Sequence, residues 1–501
     1  MKIFFSGIGG SGVSAIAGFV AGKGHQTAGS DRLFDLYPEH QVCRKLKENG
    51  IAIFPQDGSG IDGSTELAVF STAVEKDNPD FVKADELGTT VRTRPQYLTE
   101  IVSEFSTVAV AGTSGKSTVS GMLAFLMQRL GLCPNFIGGG RVKQFRATGN
   151  PGNFLTGPSE ALVVEACESD GTLVDYMPYC SIITNLDLDH HSVEETGRMF
   201  ERLAQNTSGV VVTGGDDLNL SGCGIRNAVR FSVRTASEYR ATDIEHHQMR
   251  TAFSLKGRRF EVSLPGVHNL YNALACIALL SELGVAQERV AEFLPEFAGI
   301  ERRFDVHLND GRHLVVDDYA HNPHKIFSLM RTMRTLSKKI CYIFQPHGYG
   351  PTRLMKDEYI KTFSELLRPS DDLFLLPIYY AGGTAAKDIS SMDIAEGVKW
   401  LRLSAEQGNQ DAQWLLGKAY LQGDKDLPRD PVQAEMWLRL AAKDNLEFYE
   451  NALRSAEKQI APDQIAKGRA LAESWTPKQG LRPDEKPAPD EKSGTDGRPE
   501  F

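Results

Sequence analysis

The sequence predicts an α/β protein of three domains followed by an α-helical solenoid. Two glycine-rich loops, at residues 7–12 and 111–118, each lie between an apolar run typical of a buried strand and a predicted helix. Further on, a pattern that starts at Trp400 recurs 37 residues later at Trp437, a period typical of stacked helix pairs. The 501 residues also exceed what one hydrophobic core holds, about 250 to 300.

The first domain is predicted over residues 1–104 as a Rossmann-like unit. Lys2 to Ser6 forms its first strand, Val13 to Lys23 forms the next helix, and a second strand ends at Asp31. The apolar run from Leu67 to Ser71 adds another strand. Strands that alternate with helices indicate a parallel sheet covered by helices.

Two more α/β domains are predicted, a central one over residues 105–299 and a shortened Rossmann-like one over residues 300–391. Their candidate strands are Thr107–Ala111, Ala161–Glu165, Ser181–Thr184, Leu314–Asp317, Ile340–Phe344 and Asp372–Pro377. Helical repeats follow over residues 392–475 and end in a capping helix from Ala461 to Trp475. Residues 476–501 are rich in Pro, Asp, Glu, Lys and Gly, which predicts a disordered tail.

Composition narrows the class of protein. The net charge of -10 gives no general attraction for nucleic acid or anionic lipid, so neither is an expected partner. Seven cysteines without a CxxC pair indicate reduced, mostly buried thiols and a cytoplasmic protein. Residues 1–22 could be mistaken for a signal peptide, but their glycines have turn spacing. We therefore expect a soluble protein without membrane insertion.

The first glycine loop predicts a pyrophosphate site. Gly9, Gly10, Ser11 and Gly12 stand between a strand and a helix, and Asp31 closes the next strand. Glycines let the backbone approach phosphates, the helix N-terminus offers free amides, and an acid at this position can bind a ribose or base. The motif alone does not distinguish a dinucleotide from a UDP-sugar, and a purely structural turn is the alternative.

The second glycine loop predicts an ATP site. Its backbone amides would surround the triphosphate, Lys116 would neutralise charge that develops on the transferred phosphoryl group, and the Ser117 hydroxyl would ligate magnesium. Val110 stands where the common P-loop has glycine, so this is a shortened form. A solvated turn is the alternative. The predicted ATP-binding residues here are Gly112, Thr113, Ser114, Gly115, Lys116, Ser117 and Thr118.

These two loops, followed in order by six further segments, resemble the Mur ligase family. The segments are 164–171, 184–190, 266–273, 299–304, 317–323 and 344–347, and the last two favour the alanine-adding branch or its close relatives. The repeats resemble Sel1-like repeats, which bind peptides or proteins. The resemblance implies a P-loop ATPase as central domain, with ATP and Mg²⁺ as cofactors.

The resemblance further implies a ligase that joins the carboxylate of a UDP-N-acetylmuramate-type substrate to an amino acid, L-alanine by preference, through an acyl phosphate. This reaction belongs to peptidoglycan precursor synthesis. Lys116, Glu165 and His190 would be catalytic, and Ser117, Glu165 and His190 would hold metal. The other implied site residues are His268, Asn269, Asn272, Arg303 and Asp317 for ATP, Ser71 for the UDP-substrate, and Tyr319, His321, His347 and Arg353 for the amino-acid end.

Several features depart from the family pattern. The run from Gly348 to Arg353 has Gly and Pro where two arginines are expected, Ser114 replaces a histidine, and the third domain is apparently truncated. An alternative is therefore a catalytically lapsed, nucleotide-binding adaptor whose repeats hold a protein partner. The repeats can also serve only to cap the shortened domain. An NAD-dependent oxidoreductase would leave the second loop unexplained.

Overall fold

The computed structural model describes residues 1–147, 150–189, 191–368, 370–379, 386–395, 410–422, 429–443 and 447–476. These residues fall into two compact units, one from Met1 to Ala320 and the other from His321 onward. The predicted boundaries after residues 104, 299, 391 and 475 stay predictions. The first copy of the repeat pattern, residues 400–409, and the tail from 477 lie outside the described residues.

The first unit begins with a five-stranded parallel sheet in the order β3-β2-β1-β4-β5. The strands are β1 (Lys2–Ser6), β2 (Gln26–Ser30), β3 (Ala52–Phe54), β4 (Leu67–Phe70) and β5 (Thr90–Thr93). The helices are α1 (Ser11–Gly22), α2 (Arg32–Leu36), α3 (Gln41–Glu48), α4 (Pro79–Glu86) and α5 (Arg94–Glu104). The predicted Rossmann-like sheet is confirmed, and β1 lies at the switch point where such folds bind ligands.

A second sheet of eight strands has the order β13-β12-β11-β10-β6-β9-β7-β8 and is parallel except at β7–β8. Its strands are β6 (Ser106–Ala111), β7 (Asn135–Ile137), β8 (Phe154–Leu155), β9 (Ala161–Glu165), β10 (Cys180–Ile183), β11 (Val211–Gly214), β12 (Val229–Ser232) and β13 (Tyr239–Arg240). An antiparallel sheet follows, made of β14 (Thr242–His246), β15 (Thr251–Leu255) and β16 (Arg258–Val262).

The helices of this region are α6 (Lys116–Arg129), α7 (Lys143–Ala147), α8 (Val193–Asn206), α9 (Leu218–Ser221), α10 (Val267–Glu282) and α11 (Gln287–Phe293), with 3₁₀ turns at Thr172–Asp175 and Leu294–Glu296. Helices α6 and α10 are buried along almost their whole length because both pack into the core of the eight-stranded sheet. A second core joins the two sheets and includes Ile3, Phe154 and Phe200. The first unit ends with the hairpin β17 (Asp305–Asn309) and β18 (Leu314–Asp317).

The second unit starts with α12 (Pro323–Leu336), β19 (Cys341–Phe344), α13 (Tyr349–Leu366) and β20 (Asp372–Leu375). The strands β19 and β20 pair in parallel. The ring of Phe344 packs on Tyr359 and Phe363 of α13. Residues 391–395 are helical.

The helical repeats contribute α14 (Gln410–Gln422), α15 (Pro431–Ala441), α16 (Glu447–Glu457) and α17 (Pro462–Ser474). Ala434, Leu438, Ala456 and Ile460 form their small core. Arg439 of α15 pairs with Glu435, which is fully buried, and with Glu457 of α16, and this second pair links α15 to α16.

Two properties of the whole described chain bear on the sequence predictions. The seven cysteines are all unpaired, but only Cys43, Cys180 and Cys276 are buried, so the prediction of mostly buried thiols was wrong. Cysteine is small enough to be tolerated on exposed turns, as at Cys133. Among the described residues, no helix has both the length and the apolar character to cross a bilayer.

Candidate active site

The first glycine loop is held open by Asp31. One carboxylate oxygen accepts the Gly9 N–H at 2.7 Å, and the other accepts the Leu33 N–H at 2.9 Å, where Asp31 caps α2. Gly10 is the N-cap of α1 and no side chain caps that helix, so its first amides are available to bind an anion. Ser71 lies beside the loop, because its N–H donates to Ser6 at 3.0 Å. The sequence predicted that Asp31 contacts ribose or base, and the structure adds this loop-holding role.

A cavity of about 460 Å³ opens at the same edge of the first sheet, and it is lined by Arg32, Asp35, Gln56, Glu75, Asp77, Asn78 and Pro79. Buried Asp80, which follows the lining residue Pro79, accepts hydrogen bonds from the Ser6 and Ser30 hydroxyls and from the Gly58 N–H. Gln56 also donates to Ser6 at 3.2 Å. The cavity therefore offers both hydrogen-bond donors and hydrogen-bond acceptors next to the first glycine loop.

Arg94, at the start of α5, connects this loop to the second sheet. Its Cδ lies 3.4 Å from the point where a β-carbon on Gly12 would stand, and its guanidinium pairs with Asp170. Asn153 makes a second connection by donating to the Ser11 carbonyl at 2.9 Å. Sequence reasoning missed Arg94, Asp170 and Asn153, because only the fold brings them to the loop.

The second loop is preformed by the segment that follows β10. Asn185 Oδ1 accepts from the Thr113 hydroxyl and the Ser114 N–H, both at 2.8 Å, and the Thr184 hydroxyl donates to the Ser114 carbonyl at 2.7 Å. Gly112 has φ +133°, and a β-carbon there would lie 2.0 Å from Thr184 Oγ1. Glycine is therefore required at this position.

Lys116 begins α6, and its side chain is almost wholly buried. Its Nζ donates to the Gly112 carbonyl at 2.7 Å and lies 3.1 Å and 2.8 Å from the two carboxylate oxygens of Glu168. Burial is the largest single influence on the pKa of Lys116 and lowers it, but the neighbouring negative groups, Glu168 foremost, together outweigh burial and raise that pKa above its ordinary value. Lys116 is therefore a fixed positive charge. Glu168 was not among the predicted site residues.

Ser117 and Glu165, two of the three predicted metal ligands, lie within hydrogen-bond distance of each other. The Ser117 hydroxyl donates to Glu165 Oε1 at 3.0 Å, and Glu165 Oε2 accepts the Gly139 N–H at 2.8 Å. His190, the third predicted metal ligand, lies outside the described residues. Among the residues that are described, no three His, Cys, Asp or Glu side chains cluster closely enough to ligate one ion.

The start of α10 lies against the second loop. A β-carbon on Gly115 would stand 2.6 Å from Asn272 Oδ1, and Asn272 donates to Asn269 at 3.2 Å. Asn269 in turn donates to the Pro265 carbonyl at 2.7 Å. His268 precedes this pair and is half-buried. Three of the predicted ATP-binding residues therefore share one helix turn beside the loop.

The predicted residues near the end of the first unit form a stacked group. The guanidinium carbons of Arg302 and Arg303 lie 4.9 Å and 5.4 Å from the centroid of the Tyr319 ring. Arg302 also lies 3.6 Å from Asp317. Arg302 has φ +56°, a left-handed conformation that is uncommon for arginine and fixes the direction of the chain here.

In the second unit, three residues predicted to bind the amino acid, His321, His347 and Arg353, each contact a different partner. The carbonyl of His321 accepts the Tyr359 hydroxyl at 2.6 Å, and the rings of His347 and Tyr379 lie 5.0 Å apart. Arg353 pairs with Asp388 and donates to the Ala386 carbonyl at 3.0 Å.

Known proteins resemble this chain along most of its length. It matches the Mur ligase family catalytic domain over residues 2–106, the Mur ligase middle domain over 110–280, the Mur ligase glutamate ligase domain over 302–416 and the Sel1 repeat over 410–446. It is 32% identical to the UDP-N-acetylmuramate–L-alanine ligase of Caldicellulosiruptor saccharolyticus, over 83% of this chain and 93% of that protein. The corresponding ligase of Carboxydothermus hydrogenoformans is 31% identical, over 80% and 87%.

Solved structures show the same similarity. The UDP-N-acetylmuramate–alanine ligase of Thermotoga maritima superposes with a TM-score of 0.63 at 27% identity, covering 81% of this chain and all of that one. A murein peptide ligase of Psychrobacter arcticus shares the fold, with a TM-score of 0.59 at 20% identity, over 75% of this chain and 95% of its own.

Proposed function

This chain belongs to the Mur ligase family, and from that premise we propose that it is an ATP-dependent ligase joining the carboxylate of UDP-N-acetylmuramate to L-alanine in peptidoglycan precursor synthesis. The observation that carries this proposal is the second loop, where Lys116 and Ser117 meet two carboxylates within 3.1 Å. The relatives named for this reaction match nearly their whole length. They do not favour the catalytically lapsed adaptor, and an oxidoreductase would not need this loop.

The chemistry starts from a carboxylate, which is a poor electrophile and must be phosphorylated before an amine can attack it. The amides around Gly112 to Thr118 would bind the triphosphate of ATP, and Lys116 would offset the charge on the transferred phosphoryl group. The amine then attacks the acyl phosphate through a tetrahedral intermediate and displaces phosphate. A preformed loop lowers the reorganisation that this transfer requires.

We further propose that Ser117, Glu165 and His190 would hold Mg²⁺. A hydroxyl and a carboxylate oxygen 3.0 Å apart are the hard donors that this ion prefers. When bound, the ion supplies charge neutralisation to the phosphates and to the acceptor carboxylate. The hydrogen bond between Ser117 and Glu165 keeps these two donors close together.

For the UDP-substrate, we propose that the diphosphate binds the amides of Gly9, Gly10, Ser11 and Gly12, with Ser71 beside it. The polar cavity next to that loop has the size for a nucleoside. Asp31 contributes by keeping the loop open rather than by charge alone, since both of its oxygens already accept backbone N–H groups. A remaining lone pair can still accept a ribose hydroxyl.

Two wider proposals concern the location of the protein and its helical repeats. We propose a cytoplasmic location, because every cysteine is unpaired and two of the proposed substrates, ATP and UDP-N-acetylmuramate, are nucleotides. We also propose that the Sel1-like helices bind a protein partner, since solenoids of this kind present concave surfaces.

The test is phosphate release from ATP with Mg²⁺ and UDP-N-acetylmuramate, screening single amino acids and small peptides. We expect release only with both substrates, with L-alanine preferred, and none in Lys116→Ala. Turnover that prefers a peptide would change the amine substrate but keep the ligase. Nucleotide binding without any turnover would refute the proposed reaction.

A further inference from the structure

A buried glutamate, Glu168, contacts the lysine of the ATP loop, and the chemistry above assigns it no role of its own. Its side chain is 1% exposed and that of Lys116 is 11% exposed. Resting on the proposed function, we propose that Glu168 is a positioning residue for phosphoryl transfer, which fixes the Lys116 ammonium group so that one N–H remains directed to the transferred phosphate.

The donors of Lys116 support this role. An ammonium group has three N–H donors. The Gly112 carbonyl takes one at 2.7 Å and the Glu168 carboxylate takes another. One donor is left for a phosphate oxygen, and two fixed acceptors set its direction. A flexible four-carbon side chain would otherwise sample several rotamers.

Glu168 is itself held in place from both sides. On one side, the Ala166 N–H donates at 2.9 Å to the carbonyl of Val110, a residue of β6, the strand that leads into the second loop. On the other side, the Gly171 N–H donates to the Glu168 carbonyl at 3.0 Å. Asp170, two residues on, pairs with Arg94. Residues 168–170 therefore connect Lys116 of the second loop to Arg94 beside the first loop.

The pair is costly as a purely structural feature. Glu168 Oε2 lies 2.8 Å from Nζ, yet it makes no well-directed hydrogen bond to any described group. Buried ion pairs with incompletely satisfied oxygens contribute little to stability, and apolar side chains often replace them without loss. A catalytic benefit explains this arrangement better than a folding benefit does.

Glu168 and Glu165, three residues earlier, face different chemical groups. Glu165 faces the Ser117 hydroxyl, a group suited to a metal ion, whereas the Glu168 carboxylate faces an ammonium group. If Glu168 were instead a metal ligand, its loss would raise the Mg²⁺ concentration needed for half-maximal rate. A positioning role leaves that concentration unchanged, so the two roles can be told apart.

The experiment compares wild type with Glu168→Gln, Glu168→Asp and the control Glu194→Gln, an 81% exposed carboxylate on α8. We expect Glu168→Gln to lower kcat by about tenfold or more, because small displacements of catalytic groups cost that much. KM for ATP should stay equal or fall, since a negative charge near the triphosphate is removed. Glu168→Asp keeps the charge and should recover part of kcat, and the control should match wild type.

An unchanged kcat in Glu168→Gln, or a raised Mg²⁺ requirement, would overturn the proposal. If Glu168→Gln fails to fold, Glu168→Asp decides alone, because a wild-type kcat there would refute strict positioning. If wild type shows no turnover, the proposed reaction fails separately, and calorimetric ATP binding then tests the pair. Weaker ATP binding by Glu168→Gln than by wild type would contradict it, and equal or tighter binding would support it.

Discussion

Replacing Lys116 by alanine should destabilise the first unit as well as abolish turnover. The substitution removes the cation that faces the Glu168 carboxylate, which is 1% exposed. Breaking a buried pair from one side costs about 3–5 kcal/mol, because an uncompensated charge remains. The carboxylate can escape that cost only by taking up a proton.

Proton uptake sets an upper limit on the loss and gives it a pH dependence. An ordinary glutamate side chain titrates near pH 4.3, so protonating one costs about 4 kcal/mol at pH 7 and about 1 kcal/mol at pH 5. If the folded variant holds the Glu168 carboxyl group neutral, its stability is highest below the pKa of an ordinary glutamate and falls as the pH rises above that value. The deficit of Lys116→Ala against wild type should therefore grow by about 3 kcal/mol from pH 5 to pH 7.

The assay is urea unfolding followed by far-UV circular dichroism at both pH values. All four tryptophans, at positions 400, 414, 437 and 475, lie in the repeat region, so their fluorescence serves as an internal control that should not change. Adding Glu168→Gln to Lys116→Ala should restore most of the stability without restoring turnover. A deficit that is independent of pH, or a double variant no more stable than Lys116→Ala, would refute the reasoning.

Three further predictions concern Asp216, which accepts hydrogen bonds from the Tyr271 hydroxyl and from the backbone of residues 233–235, and two residues at the glycine loops, Gly112 and Arg94. Burial raises the pKa of Asp216, but hydrogen bonds from a tyrosine hydroxyl and three backbone amides outweigh burial and hold that pKa well below its ordinary value. Asp216→Asn should therefore be less stable than wild type in urea titrations at neutral pH, and this difference should shrink below about pH 4. Gly112→Ala should weaken calorimetric ATP binding by about tenfold or more, because its β-carbon meets Thr184 Oγ1, and wild-type affinity would contradict this. Arg94→Ala should raise KM for the UDP-substrate by about tenfold without changing KM for ATP, whereas Asp170→Asn, which frees the guanidinium, should not raise it.

The features that the sequence predicted well depend on short stretches of chain. The strand from Lys2 to Ser6 has the predicted bounds, and α1 begins at Ser11 instead of Val13 because Gly10 already acts as its N-cap. Both glycine loops follow strands and open helices as predicted. Their spacing carries the information, since each loop requires a fixed order of strand, glycines and helix.

The contacts that sequence reasoning missed join residues far apart in the chain. Glu168 reaches Lys116 across 52 positions, and Arg94 reaches Asp170 across 76. A carboxylate three residues after a predicted metal ligand, as Glu168 is after Glu165, looks like an ordinary surface charge when the fold is unknown. Its function depends on which strand lies beside it, and the pairing of β6 with β9 supplies that neighbour.

The segment from Gly348 to Arg353, predicted to lie at the amino-acid end of the site, lacks the two expected arginines, and counting guanidinium groups does not show how the amino acid would be bound. Gly348, with φ +80°, is the N-cap of α13, and Pro351 lies in the first turn, where a missing N–H breaks no helical bond. The residues that replace arginine thus start a helix. Arg353, the next guanidinium, already pairs with Asp388, so binding a substrate carboxylate would exchange one carboxylate for another. Because such an exchange between exposed groups yields little net free energy, recognition of the amino acid must depend on other contacts besides Arg353.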